Sequence, residues 1–349
     1  MNERNAIRIG VIGAGSMGTT HARAIGASVT AARIVAVADV LADSAERLAH
    51  ELGVQTVHAD ALELIHDDRV DAVLIASPGE THEQLVLACL QAGKPVLCEK
   101  PLARSPQSAR RVLQVEAARG RRLVQVGFMR RFDPGYAELK AELDRGGAGE
   151  PLIVYSTHRN PSAPPGFGSE LIVKDTVVHD VDTVRWLLGH ELVKATVFTP
   201  RPTSKAPAGV RDPLIVLFET DHASHVHVEA FVNARYGYDI RCEIVGETGT
   251  LALAPPATVL LQRDGRSGVD VPMRFQDRFG SAYVRELQGW VSSIADGTPV
   301  GASAWDGYAA SVVCEAAWRS LTTGEPAAVQ LGDKPDLYAG RGRVAALSG

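Results

Sequence analysis

The stretch "IRIGVIGAGSMGTTHARAI", residues 7–25, decides the fold of the first part of the chain. It begins with a short apolar, β-branched run, which is typical of a buried strand. Gly13, Gly15 and Gly18 follow at the spacing G-x-G-x-x-G, and a helical pattern comes next. A strand, a tight glycine turn and a helix in this order predict the first unit of a parallel sheet.

Strand-like runs then alternate with helical stretches up to about residue 128. The helical stretch at residues 81–93 opens with Thr81 and Gln84, a predicted capping box, and closes at Gly93, a predicted C-cap. Such alternation predicts an α/β fold, with an N-terminal Rossmann dinucleotide-binding domain over residues 1–128. The predicted strands are "RIVAVAD" (33–39), "TVHAD" (56–60), "DAVLIASP" (71–78), "PVLCEKP" (95–101) and "LVQVGF" (123–128).

The glycine turn has the features of a pyrophosphate site. Its first glycine permits the tight turn, the second lets the backbone approach the phosphates, and the third lets helix and strand pack closely. Asp39, at the end of the second strand, would accept hydrogen bonds from the ribose and repel a 2′-phosphate, which favours NAD over NADP. The alternative is a structural turn beside a solvated aspartate. The cofactor prediction also includes Ser16 and Met17, and Ser77 and Pro78 at the end of the fourth strand.

A lysine stands where the fifth strand ends, in "VLCEKPLA". A residue before proline is held extended, and its peptide bond can be cis, so Lys100 should project from the carboxyl edge of the sheet. The nicotinamide is expected at that edge, and Glu99 and Lys100 are therefore assigned to the cofactor site. The alternative is an exposed lysine at a strand end.

Beyond about residue 150, longer strands follow one another, and "GETG" (246–249) predicts a hairpin turn. This pattern predicts a C-terminal α+β domain over residues 129–349, with a large, mostly antiparallel, open-faced sheet and helices on one side. In "KDTVVHDVDTVRWLLG" (174–189), Asp175 and His179 share one helical face, with Asp182 a turn further on. Imidazole is a suitable base for removing a hydroxyl proton. The alternative is that Asp175 caps the helix and His179 is an ordinary surface histidine.

These motifs together resemble the Gfo/Idh/MocA family of sugar and polyol oxidoreductases. The resemblance rests on the glycine motif, "EKP" and the Asp-x-x-x-His helix followed by "RWLLG". Further stretches are similar to the inositol-oxidising members of that family: "VGFMRRFDPGY" (126–136), "HRNP" (158–161), "YGYDIRCEIVGETGT" (236–250), "QDRFGSAY" (276–283) and "SAWDGYAA" (303–310).

The resemblance implies roles for individual residues. Lys100 would contact the nicotinamide ribose and the substrate hydroxyl, Asp175 would bind the substrate, and His179 would be the general acid/base. The activity would be NAD-dependent oxidation of a cyclic polyol, foremost myo-inositol to its 2-keto product. The pocket would be lined by Met129, Arg130, His158, Asn160, Tyr236 and Tyr238.

Two positions depart from the family pattern. Asp180 stands where relatives usually carry Glu, which shortens a carboxylate behind the histidine, and Gly79 stands where many carry Asn. Two alternatives to the implied activity stay open. The chain could be a dehydrogenase or an NADP-linked reductase of scyllo-inositol, glucose or another pyranose, or it could be a non-catalytic protein that senses a dinucleotide or sugar.

The bulk composition limits the partners. A net charge of −5 and a pI near 6.1 argue against nucleic-acid and anionic-membrane partners, because both favour a basic surface. No apolar run approaches the ~20 residues needed to cross a bilayer, and the first residues lack a signal-peptide pattern. Four scattered cysteines indicate a reducing compartment, so we expect a cytoplasmic protein.

The resemblance also implies a homotetramer built sheet to sheet. His225, His227 and Glu229 share one face of a predicted strand at a density that could suit a metal ion. The preferred interpretation is a polar sheet face where subunits meet, and no metal site is predicted.

Overall fold

A computed structural model of the chain describes residues 6–254 and 259–339. These residues form two compact units, which are described separately. The first comprises residues 6–132, 281–311 and 331–339, and the second comprises the remaining described residues of 133–280 and 312–330. The units reflect compactness alone, so the functional division into 1–128 and 129–349 remains a prediction; its outer limits lie outside the described residues.

The first unit contains a six-stranded parallel sheet in the order β3-β2-β1-β4-β5-β6. This is the doubly wound order with a reversal between β1 and β4, and it confirms the predicted Rossmann fold. Its elements are β1 (Ile7–Ile12), α1 (Ser16–Ser28), β2 (Ala32–Ala38), α2 (Ala42–Leu52), β3 (Thr56–His58), α3 (Ala61–His66), β4 (Ala72–Ile75), α4 (His82–Ala92), β5 (Val96–Glu99), α5 (Pro106–Arg119) and β6 (Val124–Gly127).

Apolar side chains cover both faces of this sheet, as the continuous apolar strands predict. One cluster joins the strands to α1 and to a long helix from the far end of the chain, and another packs α1 and α2 together. The first cluster includes Ile9, Val11, Leu74, Leu97, Leu287 and Trp290, and the second includes Ala22, Val37, Ala45 and Leu48.

Helix α4 confirms one end prediction and corrects the other. Gly93 ends it in the left-handed conformation, with φ 71°. Thr81 precedes it, but the predicted capping box is wrong, because Thr81 has helical backbone angles and makes no side-chain cap. Its hydroxyl instead donates to the Pro78 carbonyl oxygen (2.8 Å) and lies 2.7 Å from the Ser77 hydroxyl.

The second unit contains a seven-stranded sheet in the order β12-β11-β7-β10-β9-β8-β15. Only the β7–β10 pair among these described strands is parallel, so the prediction of a mostly antiparallel sheet is confirmed. Its elements and the remaining ones of the chain are α6 (Pro134–Asp144), β7 (Pro151–Arg159), α7 (Ser169–Leu171), α8 (Val178–Leu188), β8 (Leu192–Phe198), β9 (Leu214–Thr220), β10 (His225–Phe231), β11 (Asp239–Gly246), β12 (Thr250–Ala252), β13 (Leu261–Arg263), β14 (Arg266–Gly268), α9 (Phe275–Asp296), α10 (Ala304–Thr323) and β15 (Ala327–Ala328).

The faces of this sheet follow the alternation in the sequence. On β10, Val226, Val228 and Ala230 are buried, whereas His225 is exposed. Helix α8 packs on β7 from the buried side. The predicted turn at residues 246–249 joins β11 to β12. The outward face carries exposed apolar side chains, including Tyr155 and Phe198, so the predicted open face is present in the single chain.

Candidate active site

The carboxyl ends of four neighbouring strands carry the predicted dinucleotide residues. The glycine turn follows β1, Asp39 follows β2, Ser77 follows β4 and Lys100 follows β5. Parallel strands all end at the same edge, so these residues lie along one side of the sheet. Gly15, Ser16 and Pro78 are exposed there, and Met17, Ser77 and Lys100 are half-buried.

Backbone geometry accounts for each glycine of the turn. Gly13 has φ +96°, and a Cβ on it would lie 2.6 Å from the Ala76 carbonyl oxygen. A Cβ on Gly18 would lie 1.7 Å from the Gly13 carbonyl oxygen, so helix and turn touch there. A Cβ on Gly15 would meet no described atom within 4 Å. The turn is therefore closed at Gly13 and Gly18 and open at Gly15, which precedes the first N–H groups of α1.

Asp39 braces the glycine turn. Its Oδ2 accepts a hydrogen bond from the Ala14 N–H (2.7 Å), and its Oδ1 accepts one from the Leu41 N–H (2.8 Å). Carboxylate oxygens have further lone pairs, so these bonds leave acceptor capacity for ribose hydroxyls. The sequence indicated a role for Asp39 toward a ligand, but its bond to the turn was not foreseen.

Two buried histidines support the segment that carries Lys100, and sequence reasoning missed both. His82 Nδ1 lies 2.7 Å from the Pro101 carbonyl oxygen, and its Nε2 lies 2.8 Å from the Ser77 carbonyl oxygen. His21 Nε2 lies 2.6 Å from Glu99 Oε1. The peptide bond before Pro101 is cis, in line with the sequence. One signal for these contacts was present in the sequence. His21 lies in the helix that follows the glycine turn, and His82 begins the helix that follows β4.

Glu99 therefore has bonds on both of its oxygens, since its Oε2 accepts a hydrogen bond from the Lys100 N–H (3.2 Å). The Glu99 carboxylate thus contacts both the Lys100 backbone N–H and the His21 ring. Met129 and Arg130, the first predicted pocket residues, follow β6 in a short 3-10 turn. Both are buried, with 2 % and 1 % of their surface exposed.

In the second unit, Asp175 and His179 lie where the helical geometry changes. Residues Ile172–Val177 form a π-helical turn that runs directly into α8. Such turns are rare and occur often at functional sites. Both side chains are half-buried, whereas Asp180 and Asp182 are fully buried. The titratable side chains of this helix therefore do not form a solvated face. The π-helical turn was not predicted from the sequence.

Asp180 joins α8 to the inward face of β7. Its Oδ1 accepts a hydrogen bond from the Ser156 hydroxyl (2.7 Å), and its Oδ2 lies 3.0 Å from His158 Nδ1. The His158 and His179 ring centroids are 6.0 Å apart. The shorter carboxylate at this position thus contacts the neighbouring histidine, His158, which was predicted only as a pocket residue.

The other predicted pocket residues of this unit divide into two groups. The Tyr238 ring meets His158 edge-on, with centroids 5.9 Å apart. Asn160 follows β7 and has a buried side-chain oxygen without a hydrogen-bond partner among the described residues. Tyr236 forms the second group, because it is 47 % exposed and its hydroxyl bonds to Arg159 and Asp239 and not to His158.

Burial explains the direction of the Tyr236 pKa, which lies above its usual value. Arg159 also bonds Glu229 through two nitrogens at 2.7 Å each, so this outward network has its own ion pairs. The Glu229 carboxylate is therefore paired with Arg159. The role of His225 and His227 as part of a polar sheet face remains a prediction.

Two family matches cover most of the chain. Residues 7–128 match the family described as "Oxidoreductase family, NAD-binding Rossmann fold", and residues 136–252 match the Gfo/Idh/MocA C-terminal domain. The chain belongs to the Gfo/Idh/MocA oxidoreductase family. It is an oxidoreductase with an NAD-binding Rossmann fold, and the resemblance and the cofactor predicted from the sequence are confirmed.

Curated members of the Gfo/Idh/MocA family align with almost the whole chain. Inositol 2-dehydrogenase 1 of Saccharopolyspora erythraea is 48% identical over 333 residues, which are 95% of this chain and 99% of that protein. Inositol 2-dehydrogenase of Azotobacter vinelandii is 42% identical over 334 residues, with 95% and 99% covered.

Solved structures of the family share the fold. The myo-inositol dehydrogenase from Lactobacillus casei, in complex with NAD(H) and myo-inositol, has a TM-score of 0.93 at 34% identity and covers 95% of this chain and 99% of its own. The scyllo-inositol dehydrogenase from the same organism, with NAD(H) and scyllo-inositol, has a TM-score of 0.86 at 28% identity, with 93% and 99% covered. Among the described residues, no helix is long and apolar enough to span a membrane.

Proposed function

We propose that this family member oxidises myo-inositol at a ring hydroxyl to the 2-keto product, with NAD as the oxidant. The observation that carries the proposal is the near full-length identity of 48% to an inositol 2-dehydrogenase. It is supported by the TM-score of 0.93 to an enzyme complexed with NAD(H) and myo-inositol. The chemistry of the two units, taken one at a time, agrees with this reaction.

The first unit fits NAD. The open turn at Gly15 and the start of α1 would receive the pyrophosphate, since helix N-terminal N–H groups favour anions. Asp39 would accept hydrogen bonds from the adenosine ribose, and Ser16, Met17, Ser77, Pro78 and Glu99 are proposed to line the rest of the cofactor site. When bound there, NAD supplies the nicotinamide that takes up hydride.

The second unit fits a polyol. Every ring hydroxyl that leaves water needs a donor or acceptor. The buried Asn160 Oδ1 can accept such a hydrogen bond. The bond of His158 Nδ1 to Asp180 favours a proton on Nδ1, so that Nε2 can accept a second one. Asp175, Tyr238, Tyr236, Met129 and Arg130 remain the other proposed substrate residues.

The proton chemistry is assigned to three groups. His179 accepts the hydroxyl proton, as an imidazole can near neutral pH. By the family resemblance, Lys100 is proposed to supply the positive charge that stabilises a developing alkoxide. Asp175 accepts a hydrogen bond from a neighbouring hydroxyl and so fixes the ring orientation. No metal ion is assigned to these steps.

A substrate panel tests the proposal. Cofactor reduction is measured with myo-inositol, scyllo-inositol, glucose and another pyranose, each with NAD and with NADP. We expect the highest kcat/KM for myo-inositol with NAD. The similarity to scyllo-inositol dehydrogenase makes scyllo-inositol the second candidate substrate. Good turnover of a pyranose without activity on any inositol would overturn the proposal, and the absence of all turnover would favour the sensor alternative.

We further propose that the outward sheet face is covered by other copies of the chain in a homotetramer. Apolar side chains such as Ile153, Tyr155 and Phe198 are exposed on this face in the single chain. All four cysteines are buried thiols outside any disulfide bond, which supports a reducing compartment such as the cytoplasm. The acidic balance supports the absence of a nucleic-acid partner. Light scattering of the dilute protein tests the tetramer, and a monomer would contradict it.

A further inference from the structure

Two histidines and an aspartate meet at one end of the second unit's sheet. His190 follows Gly189, which ends α8, and Asp221 and His222 lie in the turn between β9 and β10. One possible ligand atom of each residue lies within 4.8 Å of the other two. The residues come from two separate segments of the chain, so no sequence motif indicated this group.

Backbone hydrogen bonds hold the two segments together. The Asp221 N–H donates to the Glu191 carbonyl oxygen (2.9 Å), and the Glu191 N–H donates to Asp221 Oδ1 (3.2 Å). The β9–β10 turn is itself closed, because the Ser224 N–H donates to the Thr220 hydroxyl (2.9 Å). The three side chains therefore start from a fixed backbone, which reduces the entropy lost when they bind a common ligand.

The two imidazole rings lie close together. The His190 and His222 rings are stacked, with centroids 3.7 Å apart and planes at 24°. Two charged rings at this distance would repel each other. Neutral imidazoles have the lone pairs that a metal ion requires.

We propose that His190, Asp221 and His222 bind a divalent transition-metal ion, and that zinc is the best match. Two imidazole nitrogens and one carboxylate oxygen form a mixed set that suits Zn²⁺, whereas Mg²⁺ and Ca²⁺ prefer oxygen ligands. The side chains of Asp221 and His222 are 40% and 62% exposed, so an ion can enter and water can complete its coordination. Bonds of about 2.0–2.2 Å require the side chains to turn out of the stacked arrangement, so that the lone pairs of both rings converge on the ion.

This site would stabilise the second unit and take no part in hydride transfer. His190 follows the C-terminal end of α8, and the nine helical positions from His179 to Leu188 correspond to about 13 Å. A bound ion would connect the C-terminal end of α8 to the β9–β10 turn. Both connected segments are part of the folded unit, so zinc should raise its unfolding temperature.

The test titrates the full chain, stripped of metal with a chelator that is then removed, with Zn²⁺ alone in a calorimeter. We expect one equivalent to bind, and His190→Ala or His222→Ala to weaken that equivalent by about tenfold or more. His66→Ala removes an exposed histidine of α3 in the first unit, serves as the control and should bind zinc as the parent does. His190→Gln replaces the alanine variant if circular dichroism shows that the latter is unfolded.

Co²⁺ provides an independent readout, because histidine coordination produces visible absorption bands that the His222→Ala variant should lose. Zinc should also raise the melting temperature of the parent and not that of a variant that combines His190→Ala and His222→Ala. Equal affinity for zinc in the parent and in the two histidine variants would overturn the proposal. So would the lack of any bound equivalent in the parent.

Discussion

The carboxyl edge of the first unit and the inward face of the second unit are built in different ways. The glycine turn is made of backbone, and its parts lie within six consecutive residues from Gly13 to Gly18. The polar group of the second unit is made of side chains from β7, from the start of α8 and from the segment before β11. A site made of local backbone can be recognised in a sequence, whereas a site made of distant side chains is assembled only by the fold.

The largest expected effect concerns the second unit. Replacing His179 by Ala removes the proposed base, and we expect kcat for myo-inositol oxidation to fall about a thousandfold, because general-base catalysis contributes about 10²–10⁴. NAD affinity should be unchanged, as the dinucleotide residues belong to the first unit. Steady-state kinetics and cofactor fluorescence measure the two quantities.

His66→Ala is the control for this variant, since it removes an exposed imidazole of α3 that belongs to no proposed site or interface. It should retain parental kcat. If His179→Ala also retained it, the proposed role of His179 would be wrong, whatever the substrate.

The second largest effect is expected at the glycine turn of the first unit. Gly18→Ala puts a Cβ against the Gly13 carbonyl oxygen, at 1.7 Å in the present backbone, so the turn or helix must move. We expect the free energy of unfolding to fall by about 2–3 kcal/mol and NAD binding to be lost. Denaturant titration and NAD titration measure these.

Gly15→Ala separates binding from folding in the same turn. Its Cβ would meet no described atom within 4 Å, so stability should change by less than about 1 kcal/mol. NAD affinity should nevertheless fall, because the methyl group would stand where the pyrophosphate is proposed. Unchanged NAD affinity would contradict the assignment of Gly15 to the cofactor site.

A smaller effect is expected at the link between α8 and β7. Asp180→Asn keeps the shape of a fully buried side chain but replaces one acceptor oxygen by an amide donor. The bonds from Ser156 and His158 cannot then both persist, and we expect a loss of about 1–3 kcal/mol in the free energy of unfolding. If Asp180 orients His158, kcat/KM should fall as well. Asp221→Asn, at an exposed position, is the control for stability in metal-free protein.

The smallest effect is a pH dependence. Since the folded protein holds the pKa of His190 below 6.5, the unfolded chain binds this proton more tightly. The contribution of His190 to the free energy of unfolding should therefore be fully present above pH 6.5 and should decrease as the pH falls below it. Urea unfolding of metal-free parent and His190→Asn at several pH values measures the difference. An identical pH dependence in both would exclude a contribution from His190.

The difference between local and long-range contacts also explains which features the sequence predicted. Strand positions, sheet types and the glycine turn were predicted correctly, because apolar periodicity and backbone requirements are local. The Thr81 capping box was predicted wrongly, since the motif does not specify the backbone angles of its first residue. The support of the Lys100 segment by His82 and His21 was missed, because both contacts join residues far apart in the chain.

The sequence by itself determined the family, the cofactor class and the types of side chain available for proton transfer. Its helical spacing linked Asp175 to His179, but only the tertiary structure showed a π-helical turn there and bonded Asp180 to His158. Only the tertiary structure also brought His190 to His222. The physical reason is that periodicity records which face of an element is buried, whereas the partner on the other side depends on how the elements pack.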